Sequence, residues 1–407
     1  MAIRLGAFNE NAGLQFGFDI GGIDAVPEVQ SKGWKGQPGT NLFEVQDAQL
    51  EYSADTQVSF PVSSINNFYR VASNTVIGGY KVKPTDVVYR YDLGDNGCHY
   101  HGNDSTAVNN GDVVSLSVDY LITDNVEIVN NYLGNFEQLA GVTGTWGSVD
   151  SETNKWHKVR LSRTSTGADG ANLRMLMYPG GCSSSRLAAT GSIYYKNPTV
   201  TVSPKPVPFY SGSRISTDAL IDLSDNNHVI NLSSVSYNST YGYPTFDGTD
   251  DKITIGSADN INLKQDAPWT LEVVYKVNSF ANTYPGIFKK GSASSSTGAI
   301  IFYTANGTTY WKHNNIQSLL GTLTIGDTHH IILSHPGSGG PRIYVNGEKK
   351  SYTATDMAGE ITANFEIGKG DHYGNHDIYQ FKVYDVVFSD ARAKRHYNGI
   401  KNKYNIE

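Results

Sequence analysis

Apolar residues in this chain almost never recur at helical spacing; they come in short runs that alternate with polar neighbours and stop at clusters of Gly, Asn and Asp. A period of two puts every second side chain on one face of a strand, so such a chain must bury its core between sheets. In the first half these runs fall at 48–52, 76–82, 87–91, 113–122, 156–161, 173–178 and 193–202. In the second, alternation appears over 220–239 and again over 365–386. The 42 glycines and 26 tyrosines suit a turn-rich, strand-rich chain. At 407 residues it exceeds one sandwich and has enough chain for two cores. The expected class is all-β: two antiparallel β-sandwich (jelly-roll) domains in tandem, with an extended N-terminal arm and a short C-terminal helix. No internal repeat of solenoid length is present.

The clearest boundary is Ser203-Pro-Lys-Pro-Val-Pro208, where three prolines in five positions enforce an extended spacer. The expected organisation is an arm for attachment or assembly over 1–45, a sandwich over 46–203, a Pro-rich linker over 204–208 and a second sandwich over 209–407. Residues 1–45 carry Gly at 6, 13, 17, 21, 22, 33, 36 and 39 with scattered apolar residues, a pattern unable to fold alone. Packing on a neighbouring subunit and packing on its own domain both remain open for this segment.

The last forty residues read as strand, loop, strand and capped helix. Phe365 and Ile367, then Ile378, Phe381, Val383 and Val386, sit among polar neighbours; Ser389 with Asp390 opens a helix that Gly399 is expected to close. The wording IYQFKVYDVVFSDARAKRHYNGIKNKY resembles the closing strand and helix of laminin-G-like, concanavalin-A-like jelly rolls. FDGTDDKITI at 246–255, PWTLEVVYKV at 268–277 and IYVNGEKKSYT at 343–353 fit that resemblance in order and spacing, which together covers about 209–407. With Tyr384 before the helix and Tyr397-Asn398 at its end, the domain resembles those on bacteriophage structural proteins. The first half, with DVVSLSVDYLI, WHKVRLSR and GSIYYKNPTVTV, resembles a carbohydrate-binding-module type of jelly roll, in rhythm more than in motif.

These resemblances imply a non-enzymatic virion protein of the tail fibre, spike or head fibre type, displaying glycan- or receptor-binding jelly rolls for host adhesion. Its implied partners are other virion proteins, met through the arm, and a host surface glycan or receptor; a homo-oligomer such as a trimer is the implied assembly. A capsid decoration or baseplate component that binds no ligand is the alternative. A polysaccharide hydrolase rests on fold analogy alone.

A net charge of −7 without a basic stripe argues against nucleic acid as partner. The basic residues Arg392, Lys394, Arg395, Lys401 and Lys403 read as complements to the end of the helix. No apolar run of about 18 residues exists, so no membrane insertion is expected. The N-terminus lacks the basic-then-apolar pattern of a secretory signal, which implies synthesis in a host cytoplasm. Cys98 and Cys182 are expected as free thiols, a bridge across a sandwich staying open.

A concanavalin-like glucanase sets carboxylates alternately on one strand, and no such E-x-D-x-x-E pattern occurs: Glu272 stands alone, with Val274 and Lys276 beside it on the same face. No nucleophile elbow, P-loop, H-E-x-x-H or C-x-x-C is present either. Asp247, Asp250 and Asp251 in DGTDD could supply oxygen ligands to calcium, but a tight turn is the favoured reading; no other cofactor is expected. Asp92-Leu-Gly-Asp95-Asn96-Gly97 lacks the rest of an EF-hand loop. The pairs His99/His101 and His372/His376 lack a third ligand at motif spacing, and His329-His330 would point to opposite faces of a strand.

Sugar recognition needs flat rings together with amide and carboxylate groups on loops. NGTTYWKHNN offers Tyr310, Trp311, His313 and Asn314; DHYGNHD offers Asp371, His372, Tyr373, Asn375 and His376. In the first half Tyr89, Tyr91, Tyr100, Trp146 and Trp156 are further candidates, about half of them expected in the core. Trp269, beside Leu271 and Val273, is assigned to the core.

Overall fold

Strand Asn375–Tyr384 organises the C-terminal half of the chain. Along one side it pairs with Pro268–Val277; along the other it pairs with Pro244–Asp247 at its start and with Leu14–Asp19 at its end. A computed structural model of the chain describes residues 11–21, 33–37, 39–40, 53–57, 68–93, 101–124, 132–137, 146–148, 150, 152–166, 171–177, 191–210, 213–255, 261, 263, 266–280, 284–291, 298–303, 306–313, 316–350 and 365–407. Two compact units result: Met1–Gln37 with Ile215–Glu407, and Pro38–Arg214. The second is thus inserted in the sequence of the first.

In the discontinuous unit, the eight-stranded sheet runs Ser236–Tyr237, Pro244–Asp247, Asn375–Tyr384, Pro268–Val277, Thr328–Pro336, Arg342–Val345, Glu348–Lys350, with Leu14–Asp19 added beside Asn375–Tyr384. The seven-stranded sheet runs Ile230–Ser233, Lys252–Ile255, Phe365–Ile367, Gly286–Gly291, Gly298–Tyr303, Thr308–His313, Ile316–Thr322. All named pairings are antiparallel. Trp269, Leu271 and Val273 from one sheet share a core with Phe288, Trp311, Phe365 and Ile367 from the other. Ring contacts join the layers: Trp269 to Trp311 at 6.0 Å and Phe288 to Phe381 at 5.3 Å.

Strand Pro268–Val277 departs from simple alternation, because every residue from Trp269 to Tyr275 is buried. The cause is a second covered face. On the outer side, Ala393 of the helix Asp390–Ile400 packs on Leu14, Ile332, Tyr344, Tyr384 and Phe388. A strand roofed on both sides buries its polar positions too, here Thr270 and Glu272.

The helix starts as expected. The Ser389 side chain accepts the Arg392 N–H at 3.2 Å, and Asp390 stands in the first turn. It does not stop at Gly399, which lies inside it. Lys401 in αR conformation is the C-cap, and turns continue with Tyr404 N–H donating to the Ile400 carbonyl. Nor do the basic residues serve the helix end. No basic side chain occupies the last turn; Arg392 lies over the Phe388 ring at 4.0 Å near the start, and Lys403 reaches Asp19 at 2.8 Å.

Within the segment read as an arm, Leu14–Asp19 is a strand of the sheet. Phe16 stands opposite Val383 and Phe18 opposite Phe381, and both are wholly buried. Burial of each phenyl ring contributes on the order of 2–3 kcal/mol. Trp34, also buried, stacks on Tyr237 at 6.0 Å.

The inserted unit has a six-stranded sheet, His157–Thr164, Val113–Ile122, Gly191–Val202, Val88–Leu93, Phe68–Arg70, Thr56–Gln57, and a four-stranded sheet, Trp146–Ser148, Tyr132–Glu137, Ala171–Met177, His101–Val108. Pro198 sits inside the long strand Gly191–Val202 because the register shifts between Lys196 and Thr199, with Asn197 at φ 53°. Such a bulge accommodates a residue lacking N–H. The proline-rich segment falls with this unit, and Val207 is buried. The expected run at 48–52, and Cys98 and Cys182, lie outside the described residues.

Candidate functional site

One end of the eight-stranded sheet is hollowed into a cleft of about 400 Å³. Four local features build it. The loop after Ser236–Tyr237 turns on Asn238, whose side-chain oxygen accepts the N–H groups of Thr240 and Tyr241 at 3.0 and 2.9 Å. The turn presents Tyr241 and Tyr243 with parallel rings 6.1 Å apart. Tyr379 enters from the closing strand at a bulge: Val274 pairs with Gln380 and Tyr275 with Ile378, so Tyr379 is the extra residue. The two-residue hairpin loop Asn346-Gly347, both residues at positive φ, places Asn346 at the rim.

Lys276 and His329, from the ends of adjacent strands, complete the wall with Asp327 and the C-terminal Glu407. Beneath the tyrosines lies Asp377, almost wholly buried. Its carboxylate accepts from Asn278 Nδ2 at 3.0 Å, Tyr379 OH at 3.2 Å and Tyr243 OH at 3.3 Å. Burial nevertheless holds the Asp377 carboxyl above its ordinary value, against those donors and Lys276. Burial and the Asp377 charge push the Tyr243 hydroxyl up to about 12, so it stays a donor at neutral pH.

His329 is the electrically neutral member. Burial lowers its pKa against the opposing influence of Asp327. Its Nε2 has no hydrogen-bond partner among the described residues although the atom is buried. A buried polar atom left without a partner is costly. Three amides (Asn238, Asn346 and Asn405), a cation, carboxylates and a half-exposed Tyr241 ring form one concave surface. That set can hydrogen-bond hydroxyl and carboxyl groups while a ring face packs on C–H bonds.

The residues proposed from sequence divide differently. Trp311 belongs to the core, 1 % exposed between Trp269 and Phe288, and is unavailable as a sugar platform. His376 is likewise sealed, with no exposed surface, against Phe246 at 5.3 Å. Burial lowers its pKa to about 3. Tyr310 is half-buried on the same strand as Trp311. Asp371 and His372 are exposed, Tyr373 is half-buried with its hydroxyl accepting from Lys369 Nζ at 3.1 Å, and Asn375 is half-buried at the start of the closing strand. The two groups do not form one site. Two strands, Gly286–Gly291 and Gly298–Tyr303, separate Phe365–Ile367, which leads into the 371–373 loop, from Thr308–His313. His372 itself bridges Pro285 beside Gly286–Gly291, so two strand steps, roughly 10 Å, lie between the loop and Thr308–His313. Asn314 lies outside the described residues, and of the His313 side chain nothing is described. In the inserted unit Tyr89 and Tyr91 are buried, Trp156 donates its Nε1–H to the Ile77 carbonyl, and Tyr100 and His99 lie outside the described residues.

Asp247, Asp250 and Asp251 do come together, one carboxylate oxygen of each lying within 4.8 Å of the others. Asp251 is committed to the turn, accepting the Asp247 N–H at 2.8 Å, while Asp247 accepts the Thr249 N–H at 2.7 Å. Burial and the two neighbouring carboxylates raise the Asp251 pKa. The turn is therefore present, and the same three side chains are those that could hold a cation.

Glu272 does not stand alone. Wholly buried under the helix, it accepts from His330 Nε2 at 2.9 Å, His396 Nδ1 at 3.1 Å and Tyr384 OH at 3.0 Å. Burial would raise its pKa; the hydrogen bonds and charges of the two histidines outweigh it and hold the carboxyl well below the usual range. No solvent reaches this carboxylate, so it fastens the helix to the sheet.

No protein-family model matches the chain, and no curated protein matches it. Among solved structures it is similar to the receptor-binding domain of botulinum neurotoxin C/D mosaic serotype, at 18 % identity over 45 % of this chain and 49 % of that one, with a TM-score of 0.38. It is similar to the binding domain of botulinum neurotoxin serotype G, at 16 % identity over 44 % and 48 %, with a TM-score of 0.35. A Trypanosoma rangeli sialidase mutant displaying trans-sialidase activity matches at 10 % identity over 46 % and 31 %, with a TM-score of 0.36. The chain spans about half the length of the neurotoxin domains it matches, and less of the sialidase.

Proposed function

We propose that this protein is a non-enzymatic binding protein that recognises a host surface glycan or receptor through the cleft of Tyr241, Tyr243, Tyr379, Lys276 and His329. The observation that carries this reading is the cleft itself: tyrosine rings, amides and a neutral buried histidine gathered in one hollow, with His329 Nε2 lacking a partner among the described residues. A polyhydroxylated ligand fits this chemistry, offering C–H faces to Tyr241 and hydroxyls to Asn238 and Asn346. The finer part of the proposal is a bacteriophage virion component of fibre or spike type, supported by the wording of the closing strand and helix at 378–404.

The test is saturable binding of the full chain to a glycan panel and to intact candidate host cells, with new reducing ends assayed in parallel. Tyr241→Ala and Lys276→Ala are expected to weaken binding tenfold or more while leaving the melting temperature within about 2 °C. Binding unchanged by both substitutions would remove the cleft from the proposal; no binding at all would remove adhesion. Appearance of reducing ends would make the protein an enzyme. Detection of the chain in purified phage particles tests the finer part.

A further inference from the structure

The seven-stranded sheet ends on the strand Ile316–Thr322, which pairs with Thr308–His313 on one side and with no strand on the other among the described residues. A strand so placed shows a row of backbone N–H and C=O groups that another chain can pair with, and proteins blunt such edges with charge, proline or shortness. The strands that end the larger sheets elsewhere are blunted. Glu348–Lys350 consists of three charged residues, His157–Thr164 carries Lys158, Arg160 and Arg163, and His101–Val108 contains Asp104. Ser236–Tyr237, Thr56–Gln57, Trp146–Ser148 and Ile230–Ser233 have only two to four residues.

Ile316–Thr322 has neither protection. Its seven residues, IQSLLGT, include no charge and no proline. Leu319, at the centre, is 59 % exposed next to its buried neighbours Ser318 and Leu320, and Gln317 is exposed on the same face. The register shift against Thr308–His313 falls at Leu320 and leaves this alternation intact.

The occupant that fits this edge is a second copy of the same strand. Two copies related by a two-fold axis run antiparallel, and at full overlap Ile316 faces Thr322, Gln317 faces Gly321 and Ser318 faces Leu320, with Leu319 on the axis opposite its own copy. Two exposed leucines are thereby buried against each other, and no charge meets a like charge. The same operation on His157–Thr164 would set Lys158 against Arg163. We infer that the protein forms a two-fold dimer by antiparallel pairing of Ile316–Thr322 with its copy, which joins two seven-stranded sheets edge to edge. The seven facing pairs supply about six to eight backbone hydrogen bonds. One strand's width is a small interface, so the dimer dissociates on dilution. Each dimer would carry two clefts, and a ligand repeated on a surface would be held by both at once.

The experiment is sedimentation velocity of the full chain from about 5 to about 200 µM, where the native chain should pass from monomer to dimer. Leu319→Lys and Leu319→Glu, at an exposed position, should each stay monomeric throughout and keep the melting midpoint of the dilute native chain within about 2 °C. An equimolar mixture of the two variants should recover the dimer, because position 319 faces itself and the charges are then opposite. A native chain monomeric at the highest concentration, or a dimer formed equally well by Leu319→Lys, would overturn the inference. A mixture that stays monomeric while both variants are folded would overturn the two-fold register.

Discussion

His396 Nδ1 meets the Glu272 carboxylate at 3.1 Å across the contact between the C-terminal helix and the eight-stranded sheet. The carboxylate has no exposed surface, so each donor to it counts for more than at the protein surface. His396→Phe keeps a ring in the space and deletes one charge-assisted bond. Stability should fall by about 2–3 kcal/mol in urea unfolding. A loss below about 0.5 kcal/mol would mean that packing alone holds the helix.

Acid should unfold the protein through buried groups of both signs. The Glu272 pKa is depressed in the folded state, so its contribution is present above the unfolded value near pH 4.3 and is lost as pH falls through the lower folded value. His376 is lowered to about 3, so between pH 6.5 and 3 the unfolded chain binds a proton that the folded chain refuses. Stability should therefore drop by up to about 1.4 kcal/mol per pH unit below pH 6.5 on this residue's account. His376→Gln should flatten that slope in unfolding measured from pH 7 to pH 4; an unchanged slope would show that His376 is not buried neutral.

Phe18→Ala separates a strand from an arm. Phe18 is 1 % exposed and stacks on Phe381 at 6.4 Å, so its truncation leaves a cavity between the layers. Unfolding stability should fall by about 3–4 kcal/mol. An unaffected midpoint would mean that residues 14–19 contribute attachment and nothing to the core.

Gly347→Ala tests the hairpin at the rim of the cleft. At φ +74° any side chain is strained, and a Cβ there would stand 2.5 Å from the Tyr397 ring on the helix. The cost should be about 1–3 kcal/mol by thermal unfolding, with a change in near-ultraviolet circular dichroism from the displaced tyrosine.

Much of the fold was legible because strands obey a local rule. The run 113–122 coincides with strand Val113–Ile122, and Ser389 caps the helix as its side chain requires. Trp269 entered the core as its neighbours implied. The site was hidden for a reason of the same kind. Asn238, Tyr241, Lys276, His329, Asn346 and Tyr379 are scattered over more than a hundred positions and meet only through strand pairing, which a single sequence does not state. Trp311 and His376 misled because aromatic and imidazole rings beside turns look alike whether they face solvent or a sheet. Leu14, Phe16, Phe18 and Ile20 alternate as plainly as any strand in the chain, but the glycines at 13, 17, 21 and 22 around them read as a segment unable to fold alone.

The pairing of Leu14–Asp19 with Asn375–Tyr384 sets an order of events during synthesis. Phe18 and Phe381 are separated by more than 360 positions, so the early strand leaves the ribosome without its partner and waits while the inserted unit and most of its own unit are made, roughly 20–70 s at ordinary rates of translation. During that interval its apolar face and bare edge are open to the wrong neighbour, a hazard for any unpaired strand. The inserted unit can settle first, as a body with both of its ends already made. The discontinuous unit closes last, when the final forty residues emerge to knit the beginning of the chain to its end; a ribosome that stalled before residue 375 would release a chain whose first strand has nowhere to go.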